Sequence, residues 1–515
     1  MPASANRYIK AAETPDESHQ NGPRNSNVLF LLVLECQPKG WNSMERDIID
    51  YALEYAQSKK VEYAEVGGQS QALDRMVLRD GILEVYAEAV DSGFCVRIMA
   101  NGGIGFASTN KWSKSEARDV VDLAFKYAGA ANRKDKLFFA KEKAVRTSWT
   151  ADQKKKIENV PTEERVATLT EVNRALTSCG VKIAATTSQC SINLITKYFV
   201  NSEGSRISSR LPKIGAYFFI AVAESGKTEQ ASEQFGYSGG WEAFDEWKIA
   251  EKMVHDAKVL RTVITKAKVL KPEKMDLVCG PEVAGIAAHE SCGHPMEADR
   301  ILGREMSQAG RSFIYKGGPY WIGTRIGSDA VTVVDDPTIE NSYGYYLYDD
   351  EGVKARRRFL YKKGVINEFL HNRESAAKMN TRSNGSSRSE NYDREAIVRM
   401  ANTFVLPGEL TDEELIEDIK YGVCMKSFTE WNIDDKRFNQ RYVGREAYMI
   451  KNGELTHPVA RPVVETTTQK FWTAVDGVSK KVEFDSATCG KGDPEQGAQV
   501  YTGGPWLRLR AVFMK

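Results

Sequence analysis

The feature that most constrains this chain is its punctuation. Short apolar runs recur, separated by turn dipeptides: Arg79-Asp80-Gly81, Asn101-Gly102-Gly103, Asn452-Gly453 and Gly503-Gly504. Asp-Gly and Asn-Gly pairs supply the positive φ angles that tight hairpins need, so a sequence divided this way folds largely as antiparallel strands. A few helical patterns interrupt it. Residues 44–60 place Ile48, Ile49, Ala52, Leu53 and Ala56 on one face. Ser113 precedes Glu116 as a capping box for a helix to Ala130. Further helices are expected from Thr162 to about 178, over 243–266, after Gly280-Pro281, and over 411–421 with Thr411 as cap. The expected fold class is α+β: an N-terminal α/β-sandwich-like domain over 44–145, a middle segment over 146–270 packed on it, and a β-rich C-terminal domain over 271–515 that carries the helix begun at Gly280-Pro281. No internal repeat is visible.

Bulk properties exclude several function classes. The chain has 515 residues, 42% hydrophobic and 27% charged, which is ordinary globular composition for two or three domains. Lys plus Arg number 71 and Asp plus Glu 70, a balance of +1 that creates no field for nucleic acid. The basic run Lys354-Ala355-Arg356-Arg357-Arg358 lacks interleaved aromatics, and Tyr348-Asp349-Asp350-Glu351-Gly352 reads as an acidic turn between strands. Eight cysteines without a C-x-x-C pair fit small buried side chains in a reducing, cytoplasmic setting. The apolar run Val28–Leu34 is too short to span a bilayer, which needs about 20 residues, and Glu35-Cys36-Gln37-Pro38 does not resemble a signal-cleavage site. No membrane partner is expected. Residues 1–43 carry no pattern of their own. They read as an extension, disordered or not native, with Met44 as an alternative start and the upstream stretch dispensable.

The chemistry concentrates in one segment. Of six histidines, His289 and His294 stand five apart, with Glu290 directly after the first. Neutral imidazoles are the preferred nitrogen ligands of Zn2+, and a carboxylate beside the first can take a proton from a water that the metal activates. The spacing is unusual. Residues four apart on a regular helix differ by about 40° in direction, and residues five apart by about 140°. A π-type turn would bring the two rings together, and Gly293 suits it; a non-helical turn at Gly293-His294-Pro295 is the alternative. A catalytic zinc usually has three protein ligands and an open position. The local candidates for the third are Cys292, Glu297 and Asp299, and the distant ones Cys489, His371 and His457. Cys489 sits in Thr488-Cys489-Gly490-Lys491-Gly492, read as a Gly-rich turn in which Lys491 would favour the thiolate.

These residues do not stand alone. The segment RDGILEVYAEAVDSGFCVRIMANGGIGFASTN, the motif HESCGHPMEAD, then YDDEGVKARRRFLYKKGVI, VRMANTFVLPG, REAYMIKNGELTHPV and the CGKG run follow one another as they do in the TldD/PmbA proteins. From about Met44 to the C-terminus the chain resembles that family, within its TldD-type branch, which keeps H-E-x-x-x-H. The resemblance implies a zinc metallopeptidase that acts on peptides and unfolded protein segments, with Glu290 as general base and His289, His294 and Cys489 as metal ligands. It also implies a dimer, either of like chains or with a PmbA-type (TldE) subunit that lacks the zinc motif. The alternative, that this chain is itself such a non-catalytic partner, is disfavoured by the intact His289, Glu290, His294 and Cys489. Cys292 inside the motif, Pro295, and Ala298 in place of the usual Gly are departures from the family pattern.

Overall fold

A computed structural model describes residues 41–130, 135–305 and 310–515. The first helix, α1, spans Ser43–Ser58 and buries Ile48, Ile49, Ala52, Leu53 and Ala56. Its N-terminus is fixed by a capping box between Asn42 and Glu45, a device worth about 1 kcal/mol. Trp41 packs edge-on against Trp112 with ring centroids 5.5 Å apart. The upstream extension therefore holds two residues, Trp41 and Asn42, that a start at Met44 would remove; residues 1–40 lie outside those described.

After α1 come β1 (Tyr63–Arg79), β2 (Ile82–Ala100), β3 (Gly103–Thr109), α2 (Lys114–Ala130), β4 (Arg146–Thr150), α3 (Thr162–Ser178), β5 (Ile183–Asn201), β6 (Arg206–Glu224) and β7 (Lys227–Tyr237). The hairpin turns form where expected, with Asp80 and Gly81 at φ 48° and 81°, and Asn101 and Gly102 at 55° and 76°. All seven strands join one sheet in the order β3-β2-β1-β5-β6, with β4 and β7 both paired to the outer side of β6. Helices α1 and α2 close one core over this sheet around Ile49, Phe94 and Val121. A second core, around Leu169, Phe218 and Met253, lies under α3 and the following helices. The helix expected over 243–266 is split into α4 (Ala243–Trp247) and α5 (Ile249–Lys266) by Lys248, whose φ of 47° is left-handed.

The C-terminal part contributes a ten-stranded and a six-stranded sheet around a third core. The ten-stranded sheet contains β8 (Glu273–Cys279), which leads through Gly280 into α6 (Pro281–Ala288). The six-stranded sheet ends in β9 (Glu483–Lys491) and β10 (Gln496–Gly504), with β9 at its edge. Over 411–421 only Glu414–Glu417 is helical. The Thr411–Glu414 capping box does form, but Tyr421–Met425 is drawn into a strand parallel to β8. Gly503 and Gly504, read as a turn, instead lie inside β10. They permit close approach: a Cβ on Gly503 would stand 2.4 Å from the Glu483 carbonyl, and one on Gly285 of α6 would stand 2.5 Å from the Gly503 nitrogen. These contacts seat α6 against the strand pair that carries Cys489.

Buried ion pairs tie the two halves together. Arg97 on β2 bridges Glu65 at 2.7 Å and Glu351 at 2.6 Å. The acidic turn is structural, as expected: Asp349 accepts from the amides of Glu351, Val353 and Ser387. In the basic run, Arg356, Arg357 and Arg358 pair with Glu368, Asp336 and Asp335. No helix among the described residues is long and apolar enough to cross a membrane.

Candidate metal centre

Helix α6 reads PEVAGIAA, apolar except for Glu282, and every other residue of it is buried. A helix of that composition belongs inside a core, which delivers the next residues to the centre of the domain. There the helix widens into a π-turn, His289–Gly293, followed by a 3-10 turn, His294–Met296. The wider turn brings the two imidazoles together, with ring centroids 4.9 Å apart. Gly293 allows a close approach: a Cβ there would lie 1.9 Å from the Met400 sulfur and force that buried side chain aside. The irregular backbone is satisfied locally. The Ser291 hydroxyl donates to the Ala287 carbonyl and accepts from Trp472 Nε1, while the Tyr361 hydroxyl donates to the Ser291 carbonyl.

The third member comes from far along the chain. Cys489 Sγ lies 3.4 Å from His294 Nε2, and donor atoms of His289, His294 and Cys489 all lie within 4.8 Å of one another. Cys489 is not in a turn. It sits near the end of strand β9, opposite Ala498, and the hairpin bend comes after Lys491. Lys491 does not serve the thiol either: its ammonium is buried against Asp299 at 2.8 Å and Glu297 at 3.4 Å. Burial pushes the Cys489 thiol up, but the charge of Arg399, and of His294 when its ring carries a proton, more than offsets this and brings it down to about 7. Burial lowers both histidines, His294 to about 4, so both rings are neutral at pH 7.

These features suit a soft divalent ion. The set is two neutral imidazoles and one acidified thiol, and His289 Nδ1 is buried without a hydrogen-bond partner, an arrangement that a ligand bond would relieve. Glu297, one of the candidate ligands, acts from behind. It meets His294 Nδ1 at 2.9 Å, which leaves Nε2 facing Cys489. Burial alone would raise the Glu297 carboxyl; Lys491 and Arg300 hold it well below the usual carboxylate range. Such a carboxylate fixes the tautomer and orientation of a ligating histidine. Glu297→Gln is therefore expected to weaken metal affinity by about 10–100-fold, measured by competition with a chromogenic chelator, with some loss of stability because buried Arg300 and Lys491 lose a charged partner.

The remaining candidates are elsewhere. Cys292 is buried in the apolar core beside Tyr361, and burial pushes its thiol up. Asp299 pairs with Lys491, His371 meets Ser375 at 3.1 Å, and His457 meets Thr456 at 3.4 Å. Glu290 is buried and forms an ion pair with Arg437. That arginine, which nothing in the sequence pattern marked, sits at φ 64° in the bend before the strand Asn439–Gly444, and its carbonyl is held by the Thr468 hydroxyl at 3.0 Å. A non-glycine residue held in this conformation is often found at functional sites.

His289, Glu290, His294, Cys489 and Arg437 all line a cleft of about 570 Å³. Its other walls come from β7 (Gln230, Ser232, Gln234) and from Phe428 and Trp431. Both β7 and β9 are edge strands, and they meet at one end, where Gln234 Nε2 donates to Thr488 Oγ1 at 3.1 Å. The site thus lies between two open sheet edges.

Comparison with known proteins agrees with this architecture. Three family models match in order: PmbA/TldA metallopeptidase domain 1 over residues 64–128, the central domain over 155–261, and the C-terminal domain over 272–514. The chain is 30% identical over 453 residues to a metalloprotease of Methanocaldococcus jannaschii, covering 88% of this chain and 96% of that one. It is 23% identical over 429 residues to a zinc metalloprotease TldD homolog of Saccharolobus solfataricus, covering 83% and 90%. The crystal structure of TldE from Thermococcus kodakarensis superimposes with a TM-score of 0.70 at 14% identity, covering 92% of this chain and 100% of that one, and so shares the fold. The chain belongs to the PmbA/TldD family of metallopeptidases.

Proposed function

We propose that the chain is a zinc-dependent peptidase that hydrolyses peptide bonds in peptides and unfolded protein segments. The observation that carries this reading is the convergence of His289, His294 and Cys489 beside Glu290 in the floor of an open cleft. A zinc ion held by the three donors would supply Lewis acidity toward the scissile carbonyl and make water acidic enough to lose a proton near neutral pH. Glu290, adjacent to His289 and not one of the three converging donors, takes that proton and passes it to the leaving amine. Arg437 fixes the Glu290 carboxylate in place. Glu297 and Lys491 keep the His294 ring oriented.

The cleft supports a substrate in extended form. Strand β9 is an edge that bears Cys489, and β7 offers a second edge on the opposite wall. A peptide that adds to such an edge is held by main-chain hydrogen bonds, so the sequence preference should be loose. Folded proteins are spared, because their own strands are already paired. The test offers a stable globular protein and a destabilised variant side by side. Preferential cleavage of the destabilised variant is expected; equal cleavage of both within the folded core would refute the substrate model.

A second reading is a non-catalytic subunit of the TldE type, since TldE shares the fold. A subunit without catalysis has no physical need for two neutral histidines, an acidified thiol and an adjacent carboxylate in one cleft. Assembly as a homodimer, or as a heterodimer with a PmbA/TldE-type subunit, is consistent with the shared fold and would close the cleft further.

A further inference from the structure

Away from the metal cleft, a smaller cavity of about 90 Å³ lies where β5 and β6 meet the C-terminal domain, with Trp149, Phe199 and Tyr346 in its walls. Lys197, Lys213, Arg388 and Arg399 also line it. Lys197 pairs with Asp350 at 2.6 Å. The other three have no carboxylate partner among the described residues. Lys213 Nζ donates to the Tyr343 carbonyl at 2.9 Å. Arg388 donates to the carbonyls of Met400 and Gln499 at 2.7 and 3.0 Å. Arg399 donates to the carbonyls of Gln496 and Cys489.

Carbonyl dipoles do not neutralise buried cations, and an uncompensated buried charge is costly. Lys213 and Arg399 are both buried. Burial first, and then the nearby Arg388 and Lys197, push the Lys213 ammonium well below its ordinary pKa, because no anion beside it holds the charged form. Two donors at the cavity, Arg399 Nε and Trp149 Nε1, are buried with no acceptor at all. Asp349, Asp350 and Glu390 line the same cavity but are engaged elsewhere: Asp350 with Lys197 and the Ser389 amide, Asp349 with three backbone amides, and Glu390 with the Gly497 amide at 3.0 Å. None of these carboxylates pairs with Lys213, Arg388 or Arg399 among the described residues, so what those three lack is a negatively charged acceptor within reach.

We propose that this cavity binds a small oxyanion of the phosphate type, held by Lys213, Arg388 and Arg399. Guanidinium forks match the oxygens of such an ion, and charge-assisted bonds of this kind are the strong ones. The space is too small for a peptide, and a divalent anion would hold Lys213 in its charged form while answering the two guanidinium groups, which a single carboxylate does less well. Because Arg399 also holds the Cys489 carbonyl, the bound anion is linked directly to the strand that carries the metal-site thiol.

Calorimetry and thermal unfolding of the full, zinc-loaded chain test this, with inorganic phosphate and glycerol phosphate compared against chloride at equal ionic strength. Saturable binding with a rise in Tm is expected. Binding of inorganic phosphate alone marks a site for the free ion, whereas binding of both marks a site for a phosphoryl group; either supports the proposal. Lys213→Met and, nearer the surface, Arg388→Gln are each expected to weaken binding by at least about ten-fold, the loss of one charge-assisted hydrogen bond. No saturable binding to the unaltered chain would overturn the proposal, as would undiminished binding by a folded Arg388→Gln variant. Binding abolished by Cys489→Ser but kept by the other two variants would place the anion on the metal and overturn it equally.

Discussion

The Glu290→Gln variant is expected to keep its zinc and lose peptidase activity by about 10²–10⁴-fold, the usual contribution of positioned proton transfer. Glutamine keeps the shape and one acceptor oxygen, so the contact with Arg437 can persist as a hydrogen bond in place of the ion pair. It cannot accept the proton. Because Glu290 is buried, removing its charge beside Arg437 also costs some stability, and the Tm of the variant is to be measured alongside its rate. A folded, metal-loaded variant with undiminished turnover would remove Glu290 from the reaction.

The second large effect concerns the third ligand. Cys489→Ser is expected to abolish tight zinc binding and activity together, while Cys292→Ser keeps both. The two thiols differ in environment rather than in type. Cys489 faces His294 Nε2 and is drawn down to about 7, so the thiolate that binds metal is available at neutral pH. Cys292 is three residues from His289, yet the π-turn directs it into the apolar core, where burial raises its thiol. A serine hydroxyl is a far weaker acid and a harder donor than a thiolate. Elemental analysis of the two purified variants decides the matter: loss of metal from Cys292→Ser alone would reverse the assignment.

Much of the fold was legible in the sequence because hairpin turns and helix caps are local. Asp80-Gly81, Asn101-Gly102 and the Ser113 cap, whose hydroxyl accepts from the Glu116 amide, form as read, since each depends on a few adjacent residues; the Glu116 carboxylate meets Lys111 at 3.3 Å. The readings that failed are those in which distant contacts decide. Gly503-Gly504 resembles a turn pair, but its glycines exist for the approach of α6 and β9. The pattern over 411–421 points to a helix, but only Glu414–Glu417 is helical and Tyr421–Met425 pairs with β8 across a long sequence separation. The widened turn at His289–Gly293 was foreseeable from the five-residue spacing and Gly293, because regular helical geometry cannot bring the two rings together. Cys489 could be singled out only through the family resemblance, since composition leaves five other candidates. Arg437 was beyond reach: no local pattern marks an arginine whose left-handed backbone conformation turns it toward a carboxylate 147 residues earlier. Lys491 stands two residues from Cys489, which in a strand puts both on one face, yet its ammonium is taken by Glu297 and Asp299, partners that its closeness in sequence to the thiol does not reveal.

The central claim is a zinc ion held by two histidines and one cysteine. X-ray absorption at the zinc edge, recorded on the purified chain, tests it most directly. The account predicts about one zinc per chain, with a single sulfur at about 2.3 Å and the remaining nitrogen or oxygen neighbours at about 2.0–2.1 Å. A shell without sulfur, a shell with two sulfurs, or a chain that takes up no zinc would contradict it.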